Sequence, residues 1–144
     1  MLTDPAIVAE LELTANEIEQ ARRRVSDEIH RRMLAYRMPP FAHFLSPGRS
    51  LILVDDGLAT GLTMKAALAY ARRHGAEDIT VAVPCASARA AVYFRKAADR
   101  FVSLIVDEDF SAVGQYYAAF APVRDEEVVT MLFRHPSAHV PAAS

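Results

Sequence analysis

The stretch of sequence that decides the fold is residues 51–63, which read LILVDDGLATGLT. Four apolar residues, enough for a short buried strand, lead directly into two adjacent carboxylates, Asp55 and Asp56. Glycines and threonines follow, and a helical pattern begins at Thr63. Glycine lets a backbone turn tightly, and the free N–H groups at the start of a helix attract anions such as phosphate. The stretch therefore predicts a strand, an anion-binding loop and a helix, in that order.

Short apolar segments alternate with helical patterns downstream of this stretch. The pattern predicts strands at residues 51–54, 79–83 and 101–106, separated by helices at residues 63–74 and 88–99. Fully apolar strands that alternate with helices are typical of a parallel sheet that is covered on both faces. We therefore predict a three-layer α/β fold in which a short parallel sheet lies between helices.

The flanking regions extend this core to a single predicted domain of residues 1–144. Upstream, Thr14 and Glu17 form a capping-box pattern before a helix predicted from Ala15 to Arg37, and Pro39 cannot continue that helix. Residues 1–50 are therefore predicted to be a long N-terminal helix with a loop, and residues 51–135 the α/β core. A last helix is predicted at residues 125–133. Prolines and small residues predict a frayed tail at residues 136–144.

Composition excludes several classes of function for the 144 residues. The net charge of −2 gives no sign of a nucleic-acid partner, and no apolar run approaches the ~20 residues of a membrane span. The start of the chain lacks the pattern of a signal peptide, and the single cysteine, Cys85, excludes an intramolecular disulfide. These features predict a cytoplasmic protein. The five histidines show no metal-ligand spacing, so no protein-bound metal site is predicted.

The two carboxylates and the anion-ready loop impose different demands on a ligand. Carboxylates repel a phosphate in direct contact, so Asp55 and Asp56 must face another group. Adjacent acids can accept hydrogen bonds from a vicinal diol, or they can engage a hard cation such as Mg²⁺. A sugar phosphate satisfies both halves of the stretch, because it carries a diol at one end and a phosphate at the other.

The same thirteen residues resemble the signature of the type I phosphoribosyltransferases, which is four apolar residues, two acids, three variable residues and Thr-Gly-x-Thr. The resemblance implies that Asp55 and Asp56 hold the ribose hydroxyls of phosphoribosyl pyrophosphate. It also implies Mg²⁺ as the cofactor and transfer of ribose 5-phosphate to a nucleobase-like acceptor. By the same likeness, the 5-phosphate lies in a largely backbone cradle made by Gly57, Leu58, Ala59, Thr60, Gly61, Leu62 and Thr63.

Two departures from the family pattern shape the functional prediction. Some purine members carry an aspartate where this chain has Ala59, and we assign no catalytic residue. Only 50 residues precede the motif, without a glycine before Gly48, so no pyrophosphate-gripping loop can be recognised. The chain resembles the C-terminal half of an uncharacterised bacterial branch, which shares the VAVP, V-G-x-x-Y-x-x-F and DEEV segments found here at residues 81–84, 113–120 and 125–128.

Ala59 makes the chain look more like the adenine- and orotate-type members or the uncharacterised ones, whereas the missing pyrophosphate loop predicts a chain that binds a ribose phosphate but is incomplete for transfer on its own. We therefore expect a homodimer, or a complex with a separate chain that supplies the N-terminal half. The alternative is a non-catalytic module that binds a nucleotide or ribose phosphate for regulation or assembly. For three other groups of residues we favour a structural interpretation. We predict that Asp107, Glu108 and Asp109 form a solvated loop and not a ligand site. We predict that Phe110 and Tyr116 pack in the protein and do not stack on a base, and that Cys85 is a structural thiol.

Overall fold

The computed structural model describes residues 8–9, 11–38 and 49–134. Residues 39–48 of the predicted loop and the predicted tail at residues 136–144 lie outside this part of the chain. The chain divides into two compact units, residues 44–120 and residues 1–43 with 121–144. None of the helices in the described ranges has the length and apolar character needed to cross a membrane.

The unit of residues 44–120 is built on a three-stranded parallel sheet. Its strands are β1 (Ser50–Val54), β2 (Asp78–Ser87) and β3 (Arg100–Asp107), which lie in the order β1-β2-β3. Leu51 is paired with Ile79, and Val81 with Phe101. The α/β class and the short parallel sheet predicted from the sequence are thus confirmed.

β2 is longer than predicted because another segment takes over the position of β1. β1 ends at Val54, but Leu58 rejoins the edge of β2 as an isolated parallel bridge. The Leu58 N–H donates to the Cys85 carbonyl at 2.9 Å, and the Ser87 N–H donates to the Leu58 carbonyl at 2.8 Å. These hydrogen bonds satisfy backbone groups beyond Pro84, where the sequence pattern predicts the strand to stop.

Two helices cover one face of this sheet. They are α2 (Leu62–Arg73) and α3 (Ala88–Ala97), which connect successive strands. Right-handed crossovers between strands in the order 1-2-3 bring both helices to the same side. Lys65 of α2 accordingly lies over the Tyr93 ring of α3, and the fully buried Phe94 stacks on Phe101 of β3. The core lies between these helices and the sheet.

The opposite face of the sheet carries exposed apolar side chains within this unit. Val54 is 73% exposed and Leu104 is 84% exposed, and Ile52, Val102 and Val106 are also exposed. Within residues 49–120 both helices cover the same face, and the prediction of helices on both faces of the sheet stays a prediction for the whole chain. The pattern of apolar strands could not reveal this, because it reports side-chain type and not which face is covered.

The second unit contains α1 (Ala15–Ala35) and α4 (Asp125–Arg134). The capping box at the start of α1 forms as the sequence predicts, since Thr14 and Glu17 exchange side-chain and backbone hydrogen bonds. The helix ends two residues before the predicted Arg37, which adopts a left-handed backbone with φ of +50°. The Met38 N–H then bonds the Met33 carbonyl, which closes the helix end. Arg31 and Tyr36 both donate to Asp125 at the start of α4.

Candidate functional site

The candidate site is the loop of residues 55–63, which leaves the carboxyl end of β1 and enters α2. Leu58, in the middle of the loop, is only 1% exposed, so its side chain belongs to the core. Its N–H and carbonyl bond β2, and the Ser87 hydroxyl donates to the Ala59 carbonyl at 2.7 Å. The loop is thus anchored at its centre, and the Leu58 N–H is committed to Cys85 instead of being free for an anion.

Gly61 sets the direction in which α2 begins. Its φ of +69° lies in the left-handed region, and a Cβ at this position would lie 2.8 Å from Cε2 of Phe94. The first turn of α2 contains no acidic residue, so the positive end of the helix dipole is not neutralised there. Within the described ranges, no hydrogen-bond acceptor faces the N–H groups of Gly57, Ala59, Thr60, Gly61 and Thr63.

The two acids stand at the junction of β1 and this loop, as predicted from the sequence. Asp55 is half-buried and Asp56 is exposed. The Asp56 N–H donates to Oδ1 of Asp55 at 3.0 Å, which orients the Asp55 carboxylate. Burial raises the pKa of Asp55, the charge of Asp56 raises it further, and the hydrogen bond from the Asp56 backbone opposes this change. One carboxylate is therefore partly desolvated, while its neighbour faces solvent.

The raised pKa of Asp55 predicts that this residue costs stability in the free protein. Burial disfavours the ionised form of Asp55 in the folded chain. The resulting loss of folding free energy is therefore present above the pKa that Asp55 has in the folded state. It disappears as the pH falls below the pKa of the unfolded state, about 3.9. Asp55→Asn, which keeps an oxygen acceptor, should raise Tm at pH 7 by about 1–3 °C. Thermal unfolding from pH 7 down to pH 3 should show this gain shrinking toward zero.

The exposed Asp109 offers the control, since Asp109→Asn removes the same charge near the end of β3. It should leave Tm nearly unchanged at both ends of the pH range. A gain for Asp55→Asn that is equally large at acid pH would contradict the desolvation argument, because a protonated carboxyl and an amide then differ little in charge.

Three residues that the sequence interpretation did not place in the site pack behind the loop. The Tyr117 hydroxyl donates to the Asp56 carbonyl at 2.7 Å, and Sγ of Cys85 lies 3.6 Å from the same oxygen. A Cβ on Gly57 would lie 2.7 Å from Sγ of Cys85 and 2.8 Å from Cγ1 of Val113. Burial, and then the nearby Asp56 charge, raise the pKa of the Cys85 thiol. The V-G-x-x-Y-x-x-F segment was the signal in the sequence that could have identified Val113 and Tyr117.

The carboxylate of Asp107, the last residue of β3, is engaged with two neighbouring residues. The Tyr116 hydroxyl donates to Oδ2 of Asp107 at 2.7 Å, and the Asp109 N–H donates to Oδ1 of the same carboxylate. Burial and the Asp107 hydrogen bond raise the pKa of Tyr116 to about 12. The Phe110 and Tyr116 rings pack together with their centroids 5.0 Å apart. Across the described residues, no group of three or more His, Cys, Asp or Glu side chains is placed to share a metal ion.

Comparison with known proteins connects this geometry to one family. The family model for the phosphoribosyl transferase domain matches residues 6–121. Two Mycobacterium tuberculosis proteins, from strains CDC 1551 and H37Rv, are each 38% identical to the chain over 128 residues, and both bear the name "Putative phosphoribosyl transferase". The match covers 89% of this chain and 29% of each relative.

A solved structure gives the same result for the fold. The crystal structure of TT1426 from Thermus thermophilus superposes with a TM-score of 0.69 at 36% sequence identity. The superposition covers 92% of this chain and 62% of that one. The chain thus spans less than two thirds of the length of the relatives that it matches.

Proposed function

The chain belongs to the phosphoribosyltransferase family, and on that premise we propose that residues 55–63 bind a ligand containing ribose 5-phosphate, such as phosphoribosyl pyrophosphate. One observation carries the proposal: a single loop joins a half-buried acid, an exposed acid and a helix N-terminus whose N–H groups have no acceptor among the described residues. The acids suit the ribose diol, and the N–H groups suit the 5-phosphate.

Each half of the loop has its own role in the proposal. The carboxylates of Asp55 and Asp56 accept hydrogen bonds from the ribose hydroxyls, and the helix start receives the phosphate. Because the N–H of Leu58 is already bonded to Cys85, the N–H groups left for the phosphate are those of Gly57, Ala59, Thr60, Gly61, Leu62 and Thr63, and Leu58 anchors the loop. The weak 3.4 Å contact from the Leu62 N–H to the Thr60 hydroxyl can give way to a phosphate oxygen.

The donor set at the end of β1 also fits Mg²⁺ that arrives with the ligand. Asp55 and Asp56 present carboxylate oxygens, and Mg²⁺ is commonly held by one or two carboxylates together with ligand phosphates. When bound, the ion would neutralise charge on the pyrophosphate leaving group. The task of the chain's own residues is to hold the sugar and its 5-phosphate in a fixed orientation next to that ion.

Transfer requires groups that hold the pyrophosphate, and we propose that a further polypeptide segment provides them. That segment would be a second copy of this chain, a separate chain that supplies the N-terminal half, or a further part of the same polypeptide. Within residues 49–120, β1 pairs only with β2, so one edge of the sheet can accept another strand. The longer relatives support the same proposal, since the chain matches 29% of each Mycobacterium tuberculosis protein.

A non-catalytic binding module is the second candidate. The non-catalytic module is favoured by Ala59, a cradle residue whose side chain carries no acid–base group. Such a module would bind ribose 5-phosphate or AMP without turnover, and it would act through regulation or assembly. The two candidates share the same ligand contacts and differ only in whether pyrophosphate is released.

Calorimetry with ribose 5-phosphate, phosphoribosyl pyrophosphate and AMP, with and without Mg²⁺, tests the proposal. We expect a Kd of about 0.1–1 mM for ribose 5-phosphate and weaker binding of inorganic phosphate, which lacks the diol. Pyrophosphate release from phosphoribosyl pyrophosphate with a nucleobase mixture then separates enzyme from module. Absence of heat with all three ligands at about 10 mM, well above the expected Kd, would rule out both candidates.

A further inference from the structure

Four residues form a small cluster directly behind the candidate site. They belong to the short 3-10 helix Val113–Tyr116 and the residues that follow it. The Tyr117 and Phe120 rings pack with centroids 5.1 Å apart, and a Cβ on Gly114 would lie 3.2 Å from Cδ1 of Phe120. We name this cluster the clamp residues: Val113, Gly114, Tyr117 and Phe120. Because the ring of Phe120 lies against Gly114 and Tyr117, the clamp residues hold one another in place.

The clamp residues contact the loop at one peptide group. Val113 lies against the α-carbon of Gly57, and the Tyr117 hydroxyl bonds the carbonyl of Asp56. The peptide between Asp56 and Gly57 is the joint between the acids and the phosphate cradle. A rotation of this peptide would change the direction of the Asp56 side chain relative to the N–H groups of the helix start.

We propose that Tyr117 is a positioning residue that fixes the Asp56–Gly57 peptide and so aligns the two acids with the ribose diol; this inference rests on the proposed function. The phenol is suited to the role because it has few rotatable bonds and its ring is held by Phe120. Burial raises the pKa of Tyr117, and the Cys85, Asp56 and Asp55 groups raise it further, so the hydroxyl remains a donor at neutral pH.

The chain offers a matched pair of variants for this inference. Tyr117→Phe removes the hydroxyl that bonds the Asp56 carbonyl, and Tyr116→Phe removes a neighbouring hydroxyl that bonds Asp107 at the same 2.7 Å. Both variants keep the aromatic ring, and both lose one hydrogen bond. They differ in whether the lost bond leads to the loop of residues 55–63.

The first measurement needs no ligand. Hydrogen–deuterium exchange of the Leu58 amide, the loop N–H that bonds the Cys85 carbonyl, should be about three to ten times faster in Tyr117→Phe than in the wild type when it is followed by NMR, as expected for loss of one net hydrogen bond. Tyr116→Phe should leave the exchange of that amide unchanged. Unchanged exchange in Tyr117→Phe would overturn the inference whether or not the protein binds a sugar phosphate.

The second measurement compares ribose 5-phosphate with 2-deoxyribose 5-phosphate, since the ratio of their Kd values isolates the contribution of the diol. We expect Tyr117→Phe to reduce this ratio by about three- to fivefold and Tyr116→Phe to leave it at the wild-type value. A purely structural role would lower Tm or the binding stoichiometry without changing the ratio, and that result would overturn the inference. If the wild type binds both sugar phosphates equally well, or binds neither, the diol contact of the proposed function is overturned instead. The exchange experiment would then still decide whether Tyr117 fixes the Asp56–Gly57 peptide.

Discussion

Asp56→Asn is expected to weaken ribose 5-phosphate binding by about ten- to a hundredfold. A hydrogen bond to a charged group contributes about 1.5–3 kcal/mol, and the substitution replaces an ionised acceptor with a neutral amide at the exposed end of β1. The amide also presents N–H donors toward the diol, where the carboxylate presents only acceptors. The loss of affinity should therefore come from the contact with the sugar and not from the contact with the phosphate.

Calorimetry with ribose 5-phosphate and inorganic phosphate can separate these contributions. Ribose 5-phosphate binding should fall sharply in Asp56→Asn, whereas inorganic phosphate binding should stay equal or tighten slightly because one nearby negative charge is removed. Glu108→Gln is the control, since it removes an exposed acid beyond the end of β3 and should change neither Kd by more than about twofold. An equal loss in both variants would mean that the effect is a general change in charge, and the diol contact would be refuted.

The local features of the fold could be predicted because each depends on neighbouring residues. The capping box at Thr14, the strand of residues 51–54 and the helix start near Thr63 are all encoded within a few positions of sequence. The exception is the end of α1, where Arg37 takes a left-handed conformation that is usually left to glycine. The sequence pattern predicted a helix that continues to Arg37. In the structure the helix ends two residues earlier, where the Met38 N–H donates to the Met33 carbonyl.

Features that depend on distant residues could not be predicted in the same way. The side chain of Leu58 fills the core and its N–H bonds Cys85, 27 positions along the chain (85 − 58), and neither contact is visible in the local pattern of residues 51–63. The hydrogen bond from Tyr117 to Asp56 joins residues that are 61 positions apart. The exposed apolar face of the sheet within residues 49–120 has the same origin, because the side on which a helix crosses is a property of chain handedness and strand order.

Gly61→Ala is expected to destabilise the protein strongly and to abolish ligand binding by the loop. Alanine in the left-handed region costs about 1–2 kcal/mol, and the new Cβ would lie 2.8 Å from a carbon of the fully buried Phe94 ring. Overpacking of this kind adds about 1–3 kcal/mol. The free energy of unfolding should therefore fall by about 2–5 kcal/mol, and ribose 5-phosphate binding should be lost because the start of α2 must move. Urea unfolding and calorimetry measure the two effects.

Gly75→Ala separates backbone strain from the clash, because Gly75 also has a positive φ, of +89°, but a Cβ there would meet no atom within 4 Å. It should cost about 1–2 kcal/mol and leave binding intact. The difference between the two variants is then the contribution of the Phe94 contact. Phe94→Leu in the Gly61→Ala background should recover part of that difference, so the double variant should be more stable than the sum of the single effects predicts. Equal losses of unfolding free energy in the two glycine variants would show that the Phe94 ring moves aside without a loss of stability. The start of α2 would then depend on the backbone conformation of Gly61 alone.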